Sequence, residues 1–504
     1  MKRIATACLA AAALSACTLM PRYQRPPSPV PERWPADAGT PTSATSTAAP
    51  GVTSGAAQPG DSADQISWRN FFTDPHLARL IEIALENNRN LRVAVLNVSA
   101  SEAQFRIQRG NLFPAISATG SGLAEKLPAN GALPLGGVGG SGGSDLVPSG
   151  TGATTFRYYS AGIGFTNYEL DLFGRQRSLT TAAFEQYLAQ SETRRSTQIS
   201  LVAEVASDYL AVLADEALVN LTSETLQSQL ESYQLTQAMY DRETTTLLSL
   251  RQAQSLVESA RASLAQYQRQ LAQDTHALTL VLGREIPTDL MPAPRDIYAE
   301  GLLADVPAGL PSDLLTHRPD VLSAEHALRA ANANIGAARA AFLPSIQLTG
   351  SGGTASGRLG DLFGKGTGAW SFAPSITLPI FAGGQNIANL DLAHIEKNAA
   401  VAQYELAIQT AFREVSDSLS ARGTYLQQRS AQEALVGADA DAYRLAEMRF
   451  RSGLDSYLAT LDAQRSLYAG QLGLVAVRQA ELANRVTLYK ALGGDWRQDT
   501  TPRS

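Results

Sequence analysis

Two stretches of the chain alternate residue by residue. Within Tyr158 to Leu170, Tyr159, Ala161, Ile163 and Phe165 are interleaved with Ser160, Gly162, Gly164 and Thr166. Further on, Trp370, Phe372, Ile376 and Leu378 are interleaved with Ser371, Ala373, Ser375 and Thr377. A period of two predicts strands. Apolar side chains opposite small polar ones are the pattern of a membrane barrel, with lipid outside and water inside, and aromatic strand ends suit the membrane interface. The pattern assigns Tyr159, Ile163, Phe165, Trp370, Phe372 and Ile376 to the lipid side. Alternation alone would fit a half-buried soluble sheet equally well.

Elsewhere the pattern is helical. Asp74-Pro75 offers a cap followed by proline at the first helical position, and Leu77, Leu80, Ile81, Ala84 and Leu85 then share one face. A second helix is expected from about Leu91 to Gln108. Between Gly174 and Gly283 there is neither glycine nor proline, and between Pro379 and Pro502 there is no proline. Only helix uses that freedom. A helix from Gly174 to about Tyr240 would be roughly 100 Å long at 1.5 Å per residue. Val205, Tyr209 and Val212, then Leu226, Leu230 and Tyr233, predict an apolar seam of coiled-coil type, with Ala203, Ala206, Ala211 and Ala214 permitting close approach. Without the strands, this segment would read as an isolated coiled coil.

The chain is internally duplicated. Leu112-Phe113-Pro114-Ala115-Ile116 and Thr119-Gly120-Ser121-Gly122 align with Phe342-Leu343-Pro344-Ser345-Ile346 and Thr349-Gly350-Ser351-Gly352. Leu172-Phe173-Gly174 parallels Ile380-Phe381-Ala382-Gly383-Gly384, Ala253-Gln254 parallels Ala463-Gln464, and Leu282-Gly283 parallels Leu492-Gly493. Each copy reads helix, strand, loop, strand, long helix, helix. The loops, Gly131 to Gly152 and Gly352 to Gly368, are glycine-rich and read as flexible external loops. Four strands cannot close a barrel. If these strands span a membrane, several chains must contribute, because open edges are not tolerated in lipid.

The N-terminus changes the picture of where the chain resides. Lys2 and Arg3 precede an apolar stretch from Ile4 to Leu14 and small residues before Cys17, which is an export signal. That stretch is too short to span a membrane, and no helix downstream is expected to be long and apolar enough. Leu14-Ser15-Ala16-Cys17 resembles the bacterial lipobox, and the resemblance implies that Cys17 becomes a multiply acylated N-terminus carrying palmitate, since one acyl chain binds only marginally. The only other cysteine, Cys8, leaves with the signal, so no disulfide is expected in the mature chain. From Pro21 to about Ile66 the composition is that of an extended tether that spaces the anchor from the body. The chain thus divides into a signal peptide (1–16), anchor and tether (17–66), first repeat (67–285), second repeat (286–496) and polar tail (497–504).

Candidate chemistry is sparse. A net charge of −6 makes a poor nucleic-acid binder. Gly139-Gly140-Ser141-Gly142-Gly143 satisfies a nucleophile-elbow pattern and Gly137-x-Gly139-x-x-Gly142 a dinucleotide fingerprint, but both lie in a loop between strands, where neither motif works. Gly364-Lys365 resembles a phosphate loop without its earlier glycine. His76, His276, His317, His326 and His394 are scattered, with no pair at metal-binding spacing. No catalytic, cofactor-binding or metal-ligating residue is expected, and no enzyme.

With the duplication on the page, the chain resembles the TolC-like outer membrane factors, in particular the lipoprotein branch serving resistance-nodulation-division (RND) efflux pumps. The residues that carry this are Phe71-Phe72-Thr73-Asp74-Pro75 with Leu77 and Leu80, Tyr168-Glu169-Leu170-Asp171-Leu172-Phe173-Gly174, His317-Arg318-Pro319-Asp320-Val321, Pro379-Ile380-Phe381-Ala382-Gly383-Gly384, and Arg449-Phe450-Arg451-Ser452-Gly453 followed by Leu461-Asp462-Ala463-Gln464. The resemblance implies an α+β membrane channel in the outer membrane of a Gram-negative bacterium. It would be a homotrimer in which each chain gives four strands to one twelve-stranded barrel, continued by a long α-helical barrel into the periplasm. It implies a passive duct for drugs or other small molecules, working with a periplasmic adaptor and an inner-membrane RND transporter. Glu243 stands where the second copy has Gly453, which departs from the pattern at the first helical turnaround.

By the same resemblance, the turn after Gly453 is the periplasmic tip. Leu458 and Asp462 lie four apart on one helical face. Threefold symmetry would turn each into a ring, leucine narrowing and dewetting the opening and aspartate favouring cations. Ala459 stands where some members carry another acid. The other assignment has Leu458 in the bundle seam and Asp462 facing water. A duct for protein secretion would share the fold but usually lacks a lipobox. A coiled-coil adhesin or structural envelope lipoprotein would keep its strands at one end of the chain rather than interleave them with helices.

Overall fold

A computed structural model describes residues 18–31, 34, 67–127, 154–291, 296–299, 302–304 and 317–494. Cys17, the signal, Ser141 and its glycines, the first inter-strand loop and the polar tail lie outside the described residues. The duplication is visible in the order of elements. The first repeat runs α1 (Trp68–Phe71), α2 (Pro75–Asn87), α3 (Arg89–Gly110), β1 (Ile116–Leu127), β2 (Thr154–Glu169), α4 (Arg175–Asp241) and α5 (Leu247–Leu282). The second runs α6 (Pro319–Ala340), β3 (Ser345–Ser356), β4 (Gly368–Thr377), α7 (Gln385–Arg451) and α8 (Tyr457–Ala491). The long helices α4 and α7 have 67 residues each.

The contacts divide the chain into two compact units: Met1–Pro26, Ser99–Leu188 and His326–Ala402, and Pro27–Val98, Ala189–Glu325 and Gln403–Ser504. The first holds a single antiparallel sheet in the order β1-β2-β3-β4. β3 runs further than the sequence suggests: Gly352 is inside the strand, and the β3–β4 connection is shorter than Gly352 to Gly368, with a helical turn at Leu359–Asp361. Glycine there serves close strand packing, since a Cβ on Gly353 would lie 2.2 Å from the Ala161 carbonyl oxygen.

The second unit holds most of the buried apolar side chains. Asp74 caps α2 by accepting from the His76 amide at 2.8 Å, and its other oxygen accepts from the Tyr209 hydroxyl at 2.7 Å. Leu77, Leu80, Ile81 and Ala84 are buried as expected, with Ile83 rather than Leu85 completing the face. Phe71 stacks on Tyr489 with ring centroids 4.3 Å apart, and Phe72 meets the same ring edge-on. Arg318 shows what His317-Arg318-Pro319-Asp320 is for. The buried guanidinium bonds to Asp320 and Glu414 and donates to the Ala491 carbonyl at 2.8 Å, satisfying an orphan acceptor at the end of α8.

Two expectations about α4 need correction. It contains a stretch that by length and composition alone could cross a membrane. Most of that stretch is buried inside the chain, and Val205, Tyr209, Val212 and Leu213 pack in the core, so its apolarity is that of a core helix. Below it, the seam is not Leu226, Leu230 and Tyr233, which are half-buried in the single chain. The buried positions are Thr222, Gln229 and Thr236, a polar row seven residues apart. Thr222 shares a 2.9 Å hydrogen bond with the Tyr468 hydroxyl, and one turn and a half on Ser228 accepts from Gln464 at 3.2 Å.

Candidate functional site

The four strands carry one continuous apolar face. The register puts Ile163 beside Gly352 and Gly352 beside Trp370, then Phe165 beside Gly350 and Gly350 beside Phe372. Ile376 lies opposite Ile346, and Ile116 opposite Phe165. The glycines of β3 are there for the aromatics: a Cβ on Gly350 would stand 2.9 Å from the tip of Phe165. Ile163, Trp370 and Ile376 are 61%, 82% and 70% exposed in the single chain, while Tyr159 and Phe165 are half-covered by their neighbours.

The other face is small and polar. Ser121 pairs with Ser160 and Ser351 with Ser371, each through a hydroxyl hydrogen bond of 2.8 Å. It has an exception near the loop end of β2, where Phe156 and Tyr158 stack with centroids 6.4 Å apart. A bulge between Phe165 and Tyr168, with Asn167 at φ 54°, resets the alternation so that Tyr168 pairs with Leu348 on the apolar side. Strand alternation in the sequence hides that extra residue. Among the described residues, β1 and β4 are sheet edges with no partner strand.

The corner after β2 is held by its own motif. Glu169 accepts from Arg175 at 2.8 Å and Gln176 at 2.9 Å, and Asp171 accepts from the Arg177 amide at 2.9 Å. These carboxylates had no assigned role in the sequence. They turn the chain from strand into α4, where an acid near a helix N-terminus is favoured.

In the second unit, α7 and α8 meet at a turn braced by Arg449, whose fork bonds to Asp455 at 2.5 and 3.0 Å. Arg449 holds the Asp455 carboxyl below the usual range. Phe450 packs on Tyr457 with centroids 5.0 Å apart. On α8, Thr460, Leu461 and Gln464 are buried, whereas Leu458 and Asp462 lie on the exposed side. The only basic group recorded near Asp462 among the described residues is Arg465, at 3.6 Å. The histidines are dispersed, His326 pairing with Glu185 at 2.7 Å. Among the described residues no cluster of three His, Cys, Asp or Glu side chains could hold a metal ion.

One sheet segregated by face thus takes a strand pair from each repeat, and each pair leads into long helices. The family model for outer membrane efflux proteins matches residues 80–284 and 310–494. The chain belongs to the outer membrane efflux protein family. It is 49% identical to a probable efflux pump outer membrane protein, TtgC of Pseudomonas putida, over 97% of this chain and 94% of that one. With OprJ of Pseudomonas aeruginosa it shares 40% over 97% and 95%. Among solved structures, the open state of the MtrE outer membrane channel of Neisseria gonorrhoeae matches with a TM-score of 0.80 at 37% identity, covering 96% of this chain and all of that one. As an outer membrane efflux protein, this chain has the fold of the trimeric TolC-like channels, four strands per subunit with long helices. It is a passive channel component of the Gram-negative outer membrane rather than an enzyme.

Proposed function

We propose that three copies of this chain form the exit duct of a tripartite efflux pump. The observation that carries this is the four-stranded sheet whose apolar face is exposed and whose edge strands β1 and β4 have no partner strand among the described residues. Lipid does not tolerate open edges, so β4 of one copy must meet β1 of the next until a twelve-stranded barrel closes. Tyr159, Ile163, Phe165, Trp370, Phe372 and Ile376 then face lipid, and the serine-rich face lines water. Cys17 carries the lipid anchor. Leu458 and Asp462 form the closing rings of the helical tip, where an adaptor docks and through it an inner-membrane RND transporter.

Relatives at 49% identity are named for toluene efflux and for antibiotic efflux, and one at 45% for solvent efflux. Small apolar or amphiphilic compounds are therefore the proposed cargo. The test is complementation: a strain lacking its own exit duct but carrying an RND transporter and adaptor should regain resistance to solvents and antibiotics when this chain is expressed. Rescue only beside an exporter ATPase, with secretion of a protein, would replace this reading by a secretion duct.

A further inference from the structure

The leading helices of the two repeats, α3 and α6, have 22 residues each, and the segments that follow them align at Leu112-Phe113-Pro114 and Phe342-Leu343-Pro344. In that alignment Gly336 of α6 takes the place of Arg106 of α3. Arg106 lies in the open, paired with Glu102 at 2.8 Å. At Gly336 an added Cβ would stand 2.6 Å from Ser178 Oγ and 2.9 Å from the backbone N and Cα of Met20. The backbone of the N-terminal segment fills the space of the missing side chain. Glycine inside a helix weakens it, and here it needs no left-handed φ, so close approach is the physical reason for its presence.

Thr18–Pro26 is docked on both sides of this point. The Asn332 amide donates to the Pro21 carbonyl at 2.8 Å, and Arg339 donates to the Leu19 carbonyl at 3.4 Å. Thr18 and Ser178 share a hydroxyl contact of 3.4 Å. Met20 packs against Ala182, Ala330 and Ala333, and the Arg329 guanidinium sits 5.0 Å from the Tyr23 ring. Thr18 also covers Gly174, where a Cβ would meet its Cα at 3.0 Å. The counterpart in the second repeat, Gly384, has nothing within 4 Å. Composition suggests only a spacer here, yet its first residues are a packed strap.

The strap lies between α4 of the first repeat and α6 of the second. Those helices follow β2 and precede β3, the one strand pair of the sheet not joined by a direct connection. Closing that pair costs more loop entropy than closing either hairpin, because its connection is several-fold longer. We propose that Thr18–Pro26 is a clamp that joins the two repeats at the root of the β2–β3 seam, with Gly336 as the residue that admits it. Resting on the lipidation of Cys17, it also follows that the anchor is tied to that seam, and that assembly of the trimer needs the clamp independently of acylation.

The test uses the full-length chain in membranes. Gly336→Arg copies the first repeat's residue and favours helix, so α6 itself is not damaged. Asn332→Ala removes the bond to Pro21 by a different route. Trypsin cannot use Arg22 until the strap lifts, so both variants should be cut there about tenfold faster than the parent. Trimer on native gels should fall several-fold while palmitate incorporation stays at the parental level. Cys17→Ser with Gly336 intact should keep the slow cutting. A parent that takes no palmitate removes the anchor clause and leaves the clamp to be judged by cutting and trimer. Parental protection in both variants overturns the clamp, and so does faster cutting with undiminished trimer.

Discussion

Glu243 and Gly453 hold the same left-handed backbone conformation, φ 60° and 72°, at turns that the duplication makes equivalent. The bonding is the same too. The Glu243 amide reaches the Tyr240 carbonyl and the Thr244 amide the Met239 carbonyl, as Gly453 reaches Phe450 and Leu454 reaches Arg449, all within 2.8–2.9 Å. The departure from glycine in the first repeat therefore leaves the turn intact and strained. Glu243→Gly is expected to raise the thermal midpoint of the detergent-solubilised protein, by about 1 kcal/mol of stability. Gly453→Ala should lower it by a similar amount, and equal midpoints for all three would mean the strain is relieved elsewhere.

The faces of the sheet can be tested by charge. Arg at Ile163 or Ile376 places a cation on the apolar side and should cost roughly 2–4 kcal/mol near the membrane midplane. Insertion into lipid vesicles, read as heat-resistant trimer, is expected to drop for both. Ser160→Arg, on the polar side, should insert almost normally. The opposite ranking would reverse the faces.

A carboxylate cluster on α4 and α5 makes stability depend on pH. Burial pushes Asp208 up to about 6, and the charges of Glu204 and Asp274 add to that. Burial likewise pushes Asp215 up to about 7, helped by a hydrogen bond and charge from Asp274. The folded chain keeps protons that the unfolded chain loses above about pH 4. The stabilisation is thus complete below that value and is lost as the pH rises through 4 to about 7. Asp215→Asn should raise the thermal midpoint at pH 8, leave it nearly unchanged at pH 4, and flatten the slope between.

Where side-chain type and position agree, the sequence is readable, as at Ile163, Trp370 and Phe372, whose alternation with small residues is the sheet's register seen from one strand. It is unreadable where burial and polarity disagree. Thr222, Gln229 and Thr236 look like a solvated stripe, yet all three are buried, Thr222 against the Tyr468 hydroxyl of α8 and Thr236 with its hydroxyl turned back to the Ser232 carbonyl. The bulge at Asn167 adds a residue without changing composition. The strap at Thr18–Pro26 is recognised through carbonyl oxygens and a missing side chain at Gly336, neither of which is visible in a proline-rich run. The proposal that Leu458 and Asp462 form closing rings rests on resemblance, because a single chain carries no sign of the threefold axis.

The measurement that bears most directly on the account is single-channel conductance of the purified trimer in planar bilayers, parent against Leu458→Ala/Asp462→Ala. The parent is expected to conduct ions through a water-filled path with frequent closure. The double variant should conduct more at undiminished trimer and sensitise cells to vancomycin. A stable monomer that never conducts would contradict the channel itself. Correctly assembled double-variant trimers with parental conductance would place the constriction elsewhere.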